Sequence, residues 1–314
     1  MDRVADRTPE IVTVGSAVLD RVYSLSNLPE PDGGAFVRDY EERGGGVAAN
    51  VACGLSALDH DVAIISRVGA DEAAGTILES LREWDVDVST VRRGDVASSY
   101  TLVLHGPDGG RMIVAGGESV PHLRIRPGDR DHLESAACVF TSAYAPEAVT
   151  AELVEMRRRG EIDCLAFDLP GPLAELEGRG TTPGTIDGAA AVADLFVSNR
   201  VAVDSYLGAD PESAVERLAD AGAARLAVTT GADGAYLEKR GSEPIHVPAE
   251  ERSIVDTTGA GDQFTAALIH AWVLGRASPP EAGRIAAIAA AQNCTARGPR
   301  GSLASREDLP TGKG

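Results

Sequence analysis

The sequence predicts an α/β fold in which a mostly parallel sheet is covered by helices and a small second sheet is inserted. From Ile11 onwards, short β-branched runs alternate with helix-length segments, the rhythm that gives parallel strands and crossover helices. The rhythm breaks at residues 21–42 and 98–117, where Gly/Pro turns separate extended pieces. A small antiparallel sheet at the edge of such a body suggests a lid.

Ile11-Val12-Thr13-Val14-Gly15 reads as a buried first strand. Asp20 sits where it hands over to a second extended piece, Arg21 to Leu25, and after a turn around Pro29, Pro31, Gly33 and Gly34 comes another, Ala35 to Glu42. Gly44 to Asn50 opens a helix that runs to Leu58, its small residues allowing close packing and ligand approach. Strand Val62 to Val68 and helix Ala73 to Trp84 follow. Tyr100 to Leu104 and Arg111 to Ala115 flank Gly106-Pro107-Asp108-Gly109-Gly110, a strong hairpin signal.

The alternation then resumes with strand Cys138 to Ser142, helix Pro146 to Arg159, and strands Cys164 to Asp168 and Asp194 to Ser198. Helix Ser213 to Ala221, strand Arg225 to Thr230, and the extended pair Ala235 to Lys239 and Ile245 to Val247 complete it. Residues 170–188, rich in Gly, Pro and Thr, read as a loop. Near the C-terminus a helix ends at Gly275, and Ser278-Pro279-Pro280-Glu281 is a capping box for the helix ending at Asn293.

The net charge of −19 argues against nucleic acid and anionic membranes as partners. Only Lys239 and Lys313 are lysines, and an acidic, lysine-poor chain fits a protein kept soluble in concentrated salt, although a GC-rich genome favouring Arg codons accounts for the same bias. No secretory signal precedes Glu10 and no apolar run would span a bilayer, so a cytoplasmic location is expected. Cys53, Cys138, Cys164 and Cys294 form no C-x-x-C pair, which indicates neither a disulfide framework nor a zinc site.

The richest chemistry lies in Asp256-Thr257-Thr258-Gly259-Ala260-Gly261-Asp262, followed by the apolar run Phe264 to Leu274. Gly259, Ala260 and Gly261 let backbone N–H groups approach an anion at a helix start. A carboxylate beside bound phosphate repels it unless it has work to do, and Asp262, on the helix's first turn, is the candidate general base. A plain loop with a capping Asp explains the loop in isolation equally well.

Four stretches in one order decide between these readings. Gly15 to Asp20, Gly45-Gly46-Val47-Ala48-Ala49-Asn50, Val68-Gly69-Ala70-Asp71 and Asp256 to Asp262 together resemble the PfkB-type, ribokinase-like carbohydrate kinase family, over roughly residues 11 to 309. That resemblance implies a Rossmann-like three-layer α/β core with a small β-sheet lid, the core at 1–20, 43–97 and 118–314 and the lid at 21–42 and 98–117. It also implies ATP-dependent phosphorylation of a sugar hydroxyl with Mg²⁺, and a homodimer through the lid. Asp262 then resembles the catalytic base and Gly259, Ala260 and Gly261 the anion hole. Asp20, Gly45, Gly46 and Asn50 fall on sugar-binding positions. Thr229, Gly231 and Gly234 fall on the ATP-contacting turn, and Asn199 on the N-x-x-E motif. Asp256, Thr258, Asn293, Ala296, Gly298 and Ser302 align with positions that hold a monovalent cation such as K⁺.

Three departures qualify the resemblance. The motif glutamate is Ala202, so Asp204 or a water takes its place or magnesium binding is weakened. Val18 and Val47 replace a polar residue and the lysine of ribokinases proper, and Thr141 to Tyr144 lacks their acid, which together count against ribose. No G-x-x-x-x-G-K-[ST] exists, and Gly259-Ala260-Gly261 lacks the third glycine of a dinucleotide fingerprint. A nucleoside acceptor is the second reading, slightly disfavoured by an aromatic content of 4%. The reading from another class is a non-catalytic sugar or nucleotide sensor, motivated by Ala202 and opposed by the retained Asp262.

Overall fold

Strand residues alternate between two apolar layers, and that alternation fixes which residues reach the site. The computed structural model describes residues 9–176 and 180–310. Residues 1–8 and 311–314 lie outside it, as do 177–179 of the expected 170–188 loop.

In chain order the first half contains β1 (Ile11–Val14), β2 (Val18–Leu25), β3 (Val37–Gly45), α1 (Val47–Ala57), β4 (Val62–Ile65), β5 (Arg67–Val68) and α2 (Glu72–Arg82). Next come β6 (Arg92–Arg93), β7 (Tyr100–His105), β8 (Arg111–Gly116), α3 (Pro127–Ser135), β9 (Cys138–Ser142), α4 (Glu147–Arg158) and β10 (Leu165–Leu169). They are followed by α5 (Leu173–Leu176), α6 (Pro183–Ala190), β11 (Leu195–Asn199), α7 (Arg200–Leu207), α8 (Pro211–Ala221) and β12 (Arg225–Thr229). The chain ends with β13 (Ala235–Lys239), β14 (Ile245–Val247), α9 (Ala260–Leu268) and α10 (Pro279–Asn293).

The main sheet has the order β14-β13-β12-β11-β10-β9-β1-β4. It is parallel from β4 to β12 and antiparallel at β13 and β14. Ile11, Phe140, Ala166, Val197 and Ala227 face the layer of α1, α2, α9 and α10. Val12, Val139, Phe167, Phe196 and Leu226 face the layer of α4, α6, α7 and α8. With both faces covered, the strands read as near-continuous apolar runs. The four cysteines are free and buried. No helix among the described residues is long and apolar enough to cross a membrane.

The second sheet has the order β3-β2-β7-β8. Its outer pairings are antiparallel and its central seam, β2 with β7, is parallel. In that register Asp20 lies opposite Arg43 on one side and Thr101 on the other, so the three share one face.

Local expectations change in four places. Asp20 is inside β2 rather than at a strand boundary. The expected strand Val62 to Val68 divides, because Ser66 gives its hydroxyl to the Gly15 carbonyl and its own carbonyl accepts from the Arg92 N–H, which turns Arg67–Val68 onto β6. The expected 170–188 loop contains α5 and most of α6, whose Ile186, Ala189 and Ala190 are buried; tertiary packing outweighs the glycines of α6. α3 and α7 were not expected: α3 buries only Asp129 and Leu133, and α7 only Ala202 and Val203, too little to give a periodic signal. The capping box at Ser278 and Glu281 forms as expected, with Pro at the start of α10.

Candidate active site

Parallel strands end on one edge, and loops leaving that edge are where open α/β sheets bind ligands. Gly259 adopts φ 79° just before α9, and a Cβ there would stand 2.4 Å from the Pro299 carbonyl oxygen, so only glycine fits. Beside Gly261 the space is open, with no atom within 4 Å of a Cβ position. Asp262 follows on the first turn of the helix, half-buried. The first-turn N–H groups have no partners within their own helix, which makes this end receptive to an anion.

Asp262 Oδ2 accepts a 2.7 Å hydrogen bond from Asn50 Nδ2. Burial, partly offset by that bond and by the positive charge of Arg300, pushes its pKa up to about 7, with Asp20 adding a smaller upward push. A carboxylate half-ionised near neutrality can exchange a proton with a hydroxyl. Asp168, 5% exposed at the end of β10, makes no side-chain hydrogen bond among the described residues and lies on the strand face turned toward α9. Burial and the charge of Asp262 push it well above the usual carboxylate range.

Asp20 forms the other wall. It is 7% exposed, accepts from Thr101 Oγ1 and has a raised pKa from burial, opposed by Thr101, Arg43 and Arg300. A Cβ on Gly45 would stand 2.1 Å from Asp20 Oδ2. At Gly46, with φ 99°, a Cβ would stand 2.6 Å from the Ser16 carbonyl oxygen. Of the expected acceptor positions, Asn50 is thus joined to Asp262 and Asp20 faces it from the second sheet.

The expected cation positions also converge. Asp256 Oδ1 accepts from the Thr258 N–H and hydroxyl and Oδ2 from the Gly298 N–H, which hold its pKa down despite partial burial. Asn293 donates to the Thr258 carbonyl while its own Oδ1 is buried without a partner among the described residues, an oxygen that fits a cation. Ser302 accepts from Gln292, and the Ala296 N–H points to the Asn293 carbonyl.

The nucleotide-side positions form a separate group. Asn199 and Thr229 are paired in register on β11 and β12, and the turn through Gly231 and Gly234 follows directly. The Asn199 amide is committed locally, accepting from the Ala202 N–H and donating to the Pro170 carbonyl. Ala202 is fully buried in the apolar layer and Asp204 is exposed, so the glutamate position does not fit a magnesium ligand. Among the described residues no group of three or more His, Cys, Asp or Glu is placed to hold a metal.

Four residues of the cleft carried no sequence signal: Thr101, Arg43, Arg300 and Asp168. Arg43 lies near Asp256, with Nη2 3.8 Å from its Oδ2, and Arg111 of β8 donates to Thr258 Oγ1 at 3.2 Å. Both arginines therefore tie the small sheet to the segment before α9.

Fold and cleft together define a phosphotransferase of the carbohydrate-kinase class. The chain belongs to the pfkB family of carbohydrate kinases, whose pattern matches residues 8–306. It is 31% identical over 278 residues to an ATP-dependent ribose-1-phosphate kinase of Halopiger xanaduensis, covering 84% of each protein. It is 26% identical to mouse ribokinase, over 96% of this chain and 93% of that one. In fold it is similar to Arabidopsis thaliana ribokinase complexed with ribose and ATP, with a TM-score of 0.80, 23% identity, and 97% and 96% of the two chains covered.

The raised pKa of Asp262 has a consequence for stability. Its carboxyl keeps a proton in the folded state that the unfolded chain releases, so its contribution to stability falls as pH rises from 3.8 to about 7. Asp262→Asn removes that charge, and its melting temperature at pH 8 should match or exceed that of the unaltered protein, while at pH 4 the difference should shrink. A loss at pH 8 larger than at pH 4 in paired thermal melts would contradict the burial account.

Proposed function

We propose that the protein is an ATP-dependent kinase transferring the γ-phosphoryl group to a hydroxyl of a sugar or sugar derivative. The observation that carries this reading is Asp262, poised near neutrality on the first turn of α9 and held by Asn50 beside the Gly259-Ala260-Gly261 turn. Asp262 takes the proton of the acceptor hydroxyl. The resulting oxygen attacks the γ-phosphorus in line, the bond to the ADP oxygen breaks, and the turn's N–H groups meet the charge on the transferring phosphoryl oxygens. Asp20 and Asn50 orient the acceptor, with Gly45 and Gly46 giving it room. After its bond to Asp262 and one bond to Arg300, Asn50 keeps one N–H and one lone pair for a hydroxyl.

The nucleotide side runs past Asn199, Thr229, Gly231 and Gly234. Asn199 serves there by holding the start of α7, and magnesium is left to phosphate oxygens and water. The set around Asp256, Thr258, Asn293, Ala296, Gly298 and Ser302 holds a monovalent cation, a reading supported by the unpartnered Asn293 oxygen. The second sheet, whose strands β2 and β3 reach Val18 and Gly45 and so extend beyond the expected 21–42, acts with β7 and β8 as a lid over the rest of the chain, excluding water from the reaction. The enzyme works in the cytoplasm.

An acidic acceptor is favoured within this reading. Arg43 shares a face with Asp20, and Arg111 reaches the loop before α9; a guanidinium pair suits a phosphate or carboxylate. The Halopiger relative named for ribose 1-phosphate supports the same choice. A nucleoside acceptor and a non-catalytic sensor are the competing outcomes.

Coupled ADP release with Mg²⁺, across pentoses, sugar acids, sugar phosphates and nucleosides, checks the proposal. One acceptor should turn over, with kcat/KM rising through about pH 7, where Asp262 ionises, and then levelling. Asp262→Asn should cost about 10²-fold or more, the size of a missing general base. Arg43→Gln should raise KM for a phosphorylated acceptor and leave that for ATP unchanged. Ligand binding with no turnover anywhere in the panel would leave the sensor as the better reading.

The edge strands of the lid and the chain leading into them expose Phe36, Val37, Met112, Ile113 and Val114. Open edges with apolar side chains invite pairing with another sheet, so a homodimer through the lid is expected. Light scattering in molar KCl should give twice 32.5 kDa; a strict monomer at micromolar protein removes the dimer. The same salt should raise the melting temperature by screening the charge of −19, whereas no change between 0.1 and 2 M KCl would argue against salt adaptation.

A further inference from the structure

Arg300 lies in the stretch Gly298-Pro299-Arg300-Gly301, between two of the expected cation positions, and no motif gives it a role. Its Nε donates a 2.9 Å hydrogen bond to Asn50 Oδ1. Its Nη1 donates to Ser80 Oγ at 3.2 Å, and Ser80 in turn donates to the Ile77 carbonyl of α2. Nη2 is buried without a partner among the described residues. The chain of contacts therefore runs from α2 through Ser80, Arg300 and Asn50 to Asp262.

Asn50 is the switch point of that chain, because an amide has one accepting and one donating end. With Arg300 in place, Oδ1 must face the guanidinium and Nδ2 must face the Asp262 carboxylate. The flipped amide would set oxygen against carboxylate and N–H against N–H. Gly44 makes the arrangement possible: a Cβ there would stand 1.9 Å from Ser80 Oγ and 3.3 Å from Arg300 Nη1.

We infer that Arg300 is a positioning residue, which fixes the Asn50 amide so that it donates to Asp262 and which sets a positive charge against this carboxylate in a site walled by other acids. The inference rests on Asp262 acting as the base. The charged groups facing Asp262 are Asp20 from β2, Asp168 from β10 and Arg300 itself, with neutral Asn50 from α1. Two of the three are acids, so loss of Arg300 leaves repulsion unopposed and moves the Asp262 pKa upward.

Carbon-13 NMR titration of aspartate carboxyls reads that pKa directly, with Asp262→Asn assigning the signal. Arg300→Met should raise it by about one unit or more, which at pH 7 lowers the ionised fraction about fivefold. Arg300→Lys, which keeps the charge, should stay within about half a unit of the unaltered protein. Arg300→Gln supplies the neutral state should the methionine variant not fold. An unshifted Asp262 in a folded neutral variant overturns the inference, even if turnover falls, since a merely structural role would lower turnover without moving the pKa. Turnover retained by Asp262→Asn would instead remove the base, and the titration would still decide whether Arg300 controls this carboxyl.

Discussion

Two carboxylates of like charge, Asp20 in the small sheet and Asp262 at the start of α9, are drawn out of water on opposite walls of one cleft. Both have raised pKa values, with burial as the largest cause. An uncompensated buried charge is costly enough that the group either pairs or takes up a proton. Here pairing is partial: Thr101 and Arg43 serve Asp20, Asn50 serves Asp262, and Arg300 acts on both. What surrounds them is arranged to hold that balance, which leaves Asp262 close to half-ionised at neutral pH.

Close backbone approach is the second requirement, and it explains where the glycines stand. Asp20 fits only because Gly45 has no side chain, and Ser80 and Arg300 pass under Gly44 for the same reason. At Gly259 the positive φ and the Pro299 carbonyl together exclude any other residue. These positions sit on the segments that bring β3, α2 and the C-terminal loop against one another. A methyl group at any of them would separate elements rather than merely perturb a loop.

The two faces of the parallel sheet divide the work. The layer of α1, α9 and α10 carries Asn50, Asp262 and Asn293, while the opposite layer buries Ala202 among apolar side chains. The position where the family resemblance leads one to expect a glutamate is a packing position in this chain. The cap supplied by Asn199 persists because the start of α7 still needs an acceptor.

Much of this was legible in the sequence, since the period of apolar residues and the Gly/Pro punctuation are local properties. They specified a covered parallel sheet, an inserted small sheet, the helix opened by Gly259 and the capping box at Ser278. The family motifs added Asp262, Asn50 and Asp20 by order along the chain. Local pattern could not find α3, α6 or α7, whose few buried side chains give no period and whose stability comes from the layer they join. Nor could it pair Asp20 with Arg43 and Thr101, because strand register places residues distant in the chain on one face. Arg300 is the sharpest case: 250 residues separate it from the amide to which it donates. The sequence by itself determined the family and which carboxylates and amides the chain carries, and tertiary contact alone decided which charge faces Asp262, since electrostatic coupling depends on distance in space and burial rather than on order in the chain.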